Sequence, residues 1–97
     1  GGGVMAGLYP TRTRIALLAV IAGDEVIGPF DGVYYMIRYG ASSLVVTARV
    51  REQITAGWAV DRSPRTGIGG RIVSGPHPTE LGYAILAEQL PDRWGER

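Results

Sequence analysis

Arginine supplies all of this chain's basic side-chain charge: ten Arg and no Lys among 97 residues. Positions 38–75 hold Arg38, Arg49, Arg51, Arg62, Arg65 and Arg71 against only Glu52 and Asp61, a net charge of +4. Positions 76–97 hold Arg93 and Arg97 against Glu80, Glu88, Asp92 and Glu96, a net of −2. A guanidinium grips phosphate with a planar fork and pairs with O6 and N7 of guanine. A basic middle between less basic ends suits a domain that turns one face to a polyanion. Chance clustering on a solvated surface is the bland alternative.

Other chemistry is poorly supplied. Cysteine is absent, which excludes disulfides and thiolate zinc sites, and His77 is a single imidazole. No Ser has a base and an orienting group at a recognisable spacing. Asp24 and Glu25 are adjacent and point apart on any helix, and nothing pairs Asp61 with Glu80. Gly67-x-Gly69-Gly70 lacks the strand-to-helix setting of a nucleotide loop. The expectation is no enzyme, no cofactor and no metal. The longest apolar run, Ile15–Ala22, is too short for a bilayer, and no signal-peptide pattern is visible. The expected setting is cytoplasmic, without a membrane partner.

The elements that must position these arginines are organised around Tyr39–Val60. Gly40 offers a tight turn and Ser42 a helix cap. Val46, Val50 and Ile54 recur at one-turn spacing, which predicts a helix over Ser43–Ala56 ended by Gly57. Leu44, Val45, Ala48, Arg51, Glu52 and Thr55 then face away from the apolar stripe. Arg49 flanks them on one side and Thr47 lies near the other. Arg49 and Arg51 are two residues apart, hence roughly 200° around the axis, so both cannot enter one groove centre. Arg51 is the better base reader and Arg49 the better phosphate contact.

Upstream, Gly1–Val4 has the look of a cloning remnant, leaving residues 5–97 as one domain. Thr11 caps a helix over Thr11–Ala22, whose apolar surface is broad enough to want burial on more than one side. Glu25–Gly28 reads as a short strand before Pro29. Phe30–Tyr39 allows two readings. Asp31 can cap a helix over Gly32–Tyr39, or Phe30-Asp31-Gly32-Val33 can turn a hairpin between Glu25–Ile27 and the β-forming Val33–Ile37. The register of a helix-turn-helix favours the helix.

Downstream, Trp58–Arg62 and Arg71–Ser74 read as strands around the turn-rich loop Ser63–Gly70. Gly75-Pro76-His77-Pro78 is a rigid exit, and Thr79 caps a helix over Glu80–Leu90. That helix has two apolar stripes, Leu81/Ala84/Ile85 and Tyr83/Leu86/Ala87/Leu90. One joins the core; the other wants the first helix or a second copy, so a homodimer through the C-terminal helix is expected. Pro91 closes the helix, and Asp92–Arg97 is a polar tail from which Trp94 can fold back.

From Tyr39 to Leu86 the chain resembles the MarR/PadR-like winged-helix regulators, in a small actinobacterial or phage style. The resemblance rests on Gly-x-Ser before Val46-Thr47-x-x-Val50-Arg51, Ala56-Gly57-Trp58 at the helix-to-strand junction, a basic wing, and Thr79-Glu80-Leu81-Gly82 opening the last helix. It implies an α+β winged helix-turn-helix of three to four helices with a two- to three-stranded antiparallel β-wing. It also implies a sequence-specific DNA-binding protein, a transcriptional regulator acting on double-stranded DNA. The expected DNA contacts are Ser42, Ser43, Thr47, Ala48, Arg49, Arg51 and Thr55, with the second helix of the motif in the major groove and Arg49 on a phosphate, and Arg62, Arg65 and Arg71 of the wing on the backbone. The expected groove face is more apolar than most DNA readers, and Glu52 repels phosphate unless it accepts from cytosine N4. A protein-interaction module using Leu44 and Val45 is the alternative, and an architectural or recombination-directionality protein that bends DNA is another.

Overall fold

The computed structural model describes residues 7–62, 65–66, 68–70 and 72–95. It is an α+β fold. The order is α1 (Arg12–Ala22), β1 (Val26–Phe30), β2 (Val33–Met36), β3 (Leu44–Val45), α2 (Thr47–Thr55), β4 (Ala59–Asp61), β5 (Arg65–Thr66), a turn at Ile68–Gly70, β6 (Ile72–Val73), β7 (Pro76–Pro78), α3 (Glu80–Gln89) and α4 (Pro91–Trp94). Among the described residues all strand pairs are antiparallel, in three separate ladders: β1-β2-β3, β4-β7 and β5-β6.

α1 begins where its cap predicts: the Thr11 hydroxyl accepts from the Arg14 backbone N–H. This helix is the centre of the fold. Leu17 and Ile21 pack into one apolar cluster with Val26, Tyr34, Val46, Val50 and Ala59. Ile15 and Leu18 pack into a second with Trp58 and Leu86. The need for burial on more than one side is met by these two clusters.

The expected helix over Gly32–Tyr39 is not formed; the segment carries strand β2, paired with β1. The cause is local. Asp31 and Gly32 both hold positive φ, 54° and 80°, between the paired residues Phe30 and Val33. Asp-Gly with both residues left-handed is the two-residue turn whose twist suits a hairpin. The β-branched and aromatic residues Val33-Tyr34-Tyr35 then continue as strand. Gly40, at φ 76°, turns the chain as expected, but it joins β2 to β3. Strand β2 therefore stands where the first helix of a helix-turn-helix was expected.

The second helix is shorter than predicted. Leu44 and Val45 pair with Met36 and Tyr35 as strand β3. α2 starts at Thr47, capped by the Val46 backbone without a side-chain hydrogen bond, so Ser42 is not its cap. The Thr47 hydroxyl instead accepts from the Tyr34 backbone N–H at 3.0 Å. Gly57, at φ 83°, follows the helix end as predicted.

Beyond α2 the ladder differs from expectation in its partner. β4 pairs with β7, in the register Ala59↔Pro78, Val60↔His77 and Asp61↔Pro76, so the segment read as a rigid exit is a strand. Hydrogen bonds join Thr79 N–H to the Trp58 carbonyl and Arg62 N–H to the Gly75 carbonyl. By alternation, Pro76 and Pro78 fall opposite β4 where no ladder N–H is required. Thr79 caps α3 by accepting from Gly82 N–H at 3.1 Å. Leu86 is fully buried, while Leu81 and Tyr83 of α3 are partly exposed. α4 forms within the expected polar tail, and Trp94 packs back on the second cluster. Residues 1–4, and Arg71 within the expected second wing strand, lie outside the described residues.

Tyr34 ties the hairpin to β4. Its ring is buried, and its hydroxyl lies 2.7 Å from both Asp61 carboxylate oxygens. Burial, then the Asp61 carboxylate, pushes the phenol up to about 12. Because the folded value is raised, the stabilisation is complete below the ordinary tyrosine range and is lost as pH climbs towards 12. Tyr34 is expected to ionise above the ordinary tyrosine range in a spectrophotometric titration. Tyr34→Phe is expected to cost about 1–2 kcal/mol in urea unfolding, and an unchanged midpoint would refute the contribution of this bond.

Candidate nucleic-acid interface

α2 brings together five of the residues picked out by the sequence: Thr47, Ala48, Arg49, Arg51 and Thr55. Val50 and Gln53 are its fully buried positions. Gln53 fixes α2 against α1 by donating from Nε2 to the Arg14 carbonyl at 2.9 Å. At 100° per residue, Ala48, Glu52 and Thr55 lie opposite this buried side, with Arg49 and Arg51 on the two flanks.

The acid in the middle of that outer face has a partner. Arg14 of α1 grips Glu52 with two parallel bonds, Nε to Oε1 at 3.1 Å and Nη2 to Oε2 at 3.0 Å. A third donor of Arg14 reaches the Tyr9 carbonyl at 2.8 Å. The hydrogen bonds from Arg14 hold the Glu52 carboxyl below the usual glutamate range. Thr11, Thr13 and Arg14 face Ala48, Arg49 and Glu52 across an open groove of about 550 Å³. Arg14 was not picked out as a site residue. It stands 38 positions from Glu52, and no local pattern joins the two.

The two flanking arginines differ. Arg51 donates from Nη2 to the Gly32 carbonyl at 3.0 Å, and its guanidinium lies 5.9 Å from the Tyr34 ring centroid. It braces α2 against the β1-β2 turn, with donors left over from a group that carries five. Arg49 is exposed, and no carboxylate among the described residues lies within ion-pair distance of it.

The remaining expected contacts scatter. Ser42 and Ser43 are exposed in the segment before β3, where the Ser42 carbonyl accepts from Arg38 Nε at 2.9 Å. Arg62 is half-buried and ion-paired with Asp24, whose carboxylate also lies 3.9 Å from His77 Nδ1. Arg65 falls in β5, and Arg71 is outside the described residues. Leu44 and Val45, expected on the outer helix face, are instead exposed on β3, at 43% and 61%. No helix among the described residues is long and apolar enough to cross a membrane. Comparison with protein-family models, curated proteins and solved structures finds no match to this chain.

Proposed function

We propose that this chain is a sequence-specific DNA-binding protein of the winged-helix type, a transcriptional regulator that inserts α2 into the major groove. The observation that carries the reading is the Arg14–Glu52 pair. An uncompensated carboxylate at the centre of the outer α2 face would repel the phosphates on both sides of a groove. Arg14 compensates it, and the flanking charges, Arg49 and Arg51, are both positive. Ala48 and Thr55 then offer methyl and hydroxyl contacts to base edges. The β5-β6 hairpin, leaving the β4-β7 ladder, takes the part of the wing, with Arg65 on the backbone.

Fluorescence anisotropy against random-sequence duplex, from low to physiological salt, tests the reading. Affinity is expected to fall linearly with salt on logarithmic axes, at a slope that counts the phosphates neutralised. Arg49→Ala is expected to weaken every sequence alike and lower that slope by about one, whereas Arg51→Ala relaxes base preference. No binding at low salt would overturn the proposal. The second reading, a protein-interaction module, would then take over. It is favoured by one feature: Leu44 and Val45 lie exposed on β3 at the edge of the β1-β2-β3 sheet, and apolar side chains on a sheet edge suit the addition of a strand from a protein partner.

A further inference from the structure

α1 has a third face that the core clusters cover only in part: Arg12 and Ala16 are exposed, and Ala19 and Val20 are half-buried against the edges of the two clusters. Arg12, Ala16, Ala19, Val20 and Gly23 follow one another at i, i+4, i+7, i+8 and i+11, the spacing of a single helix stripe. With Leu90 and Arg93 from the end of α3 and from α4, and with Glu25 just past α1, they line a groove of about 710 Å³. Along α1 its floor is apolar, with the small side chains of Ala16 and Ala19 at the middle, and Gln89 and Arg93 stand on the opposite wall. Its ends carry opposite charges. Arg12 opens α1, and Glu25 follows its last turn, with its backbone N–H on the Val20 carbonyl. The eleven residues of α1, at about 1.5 Å each, make the helix between these ends about 16 Å long. Among the described residues neither Arg12 nor Glu25 has an ion-pair partner within the chain.

We propose that this groove seats a second copy of the chain, with the two α1 helices antiparallel across a two-fold axis near Ala19. A two-fold presents the same surface from both sides, so the surface must complement itself. This one does. Reversing the direction of the stripe places Arg12 of each protomer against Glu25 of the partner subunit, and Ala16 and Ala19 near the crossing. Small side chains there let the helices approach to the short end of the usual 8–10 Å range. The contact is distinct from α2 and forms without DNA, so it stands or falls separately from the proposed function.

Sedimentation equilibrium without DNA is the first measurement, and the wild-type chain is expected at twice its monomer mass. Arg12→Glu opposes two acids across the interface and Glu25→Arg opposes two arginines, so each variant alone is expected at the monomer mass. An equimolar mixture of the two restores both pairs, with acid facing arginine at each end, and is expected to return to twice the monomer mass. This return also shows that both variants are folded. A wild-type chain that stays monomeric at sub-millimolar concentration would overturn the proposal. So would single variants that remain dimeric, or a mixture that fails to associate although circular dichroism shows both variants folded.

Discussion

Gly82→Ala is expected to destabilise the fold by about 3 kcal/mol or more and to lower its melting temperature by roughly 10–20 °C. The sign is the informative part. Gly82 lies inside α3, where exchanging glycine for alanine ordinarily stabilises a helix by about 1 kcal/mol. Here an added Cβ would stand 2.1 Å from the Trp58 carbonyl oxygen and 3.2 Å from Pro78 Cβ. That carbonyl also accepts from Thr79 N–H, so it cannot turn away without losing a second bond. The first turn of α3 would have to lift off the end of β4, opening the cluster that holds Trp58 and Leu86. Gly7→Ala, outside the α1 groove, is the control. Its added Cβ would meet nothing within 4 Å, and its φ is not in the left-handed region, so a change within about 1 kcal/mol is expected. Thermal unfolding of both variants decides the matter, and a Gly82→Ala protein as stable as the wild type would show that α3 does not dock this closely.

Arg14→Ala is expected to weaken DNA binding on the order of tenfold, although Arg14 is placed as a positioning residue that acts through Glu52. Removing the guanidinium leaves the Glu52 carboxylate uncompensated at the centre of the outer α2 face. Glu52→Gln in the same chain is expected to restore most of the loss, since it removes the repelling charge. If Arg14 touched phosphate itself, Glu52→Gln would raise affinity by the same factor in the wild-type chain as in Arg14→Ala, so the change made in both backgrounds separates the two roles. A pH series gives an independent reading. In the wild type, the Arg14 hydrogen bonds keep Glu52 ionised below its usual range. Because the folded value is depressed, the stability gained from the pair is present above the unfolded glutamate value of about 4.3 and is lost as pH falls through the folded one. In Arg14→Ala the lowering by Arg14 is lost, so Glu52 takes up its proton at higher pH than in the wild type and the affinity deficit should shrink as pH falls. An Arg14→Ala protein that binds DNA as well as the wild type would sink the argument.

Local chemistry determined much of this protein from sequence alone. Thr11 and Thr79 cap their helices because each hydroxyl needs only a backbone N–H three residues ahead. Gly40 and Gly57 turn the chain where they were expected to, because the left-handed conformation is open to residues without a Cβ. The absence of cysteine and the crowding of arginine in the middle are compositional facts that no fold can alter. Other choices were decided by partners far along the chain. Val33–Met36 could satisfy its backbone within a helix or across a hairpin, and the Asp31-Gly32 turn together with pairing to β1 and β3 selected the hairpin. Leu44 and Val45 fit the periodicity of α2, but the open edge of β2 took their hydrogen bonds first and delayed the helix to Thr47. Pro76 and Pro78 argue against a strand when read alone. They are tolerated because β4 requires no donor at their two positions. The character of the candidate site also belongs to the tertiary structure. Glu52 reads as a charge that repels DNA until α1 lies across α2 and sets Arg14 against it, since an ion pair between residues 38 apart exists only in the folded chain.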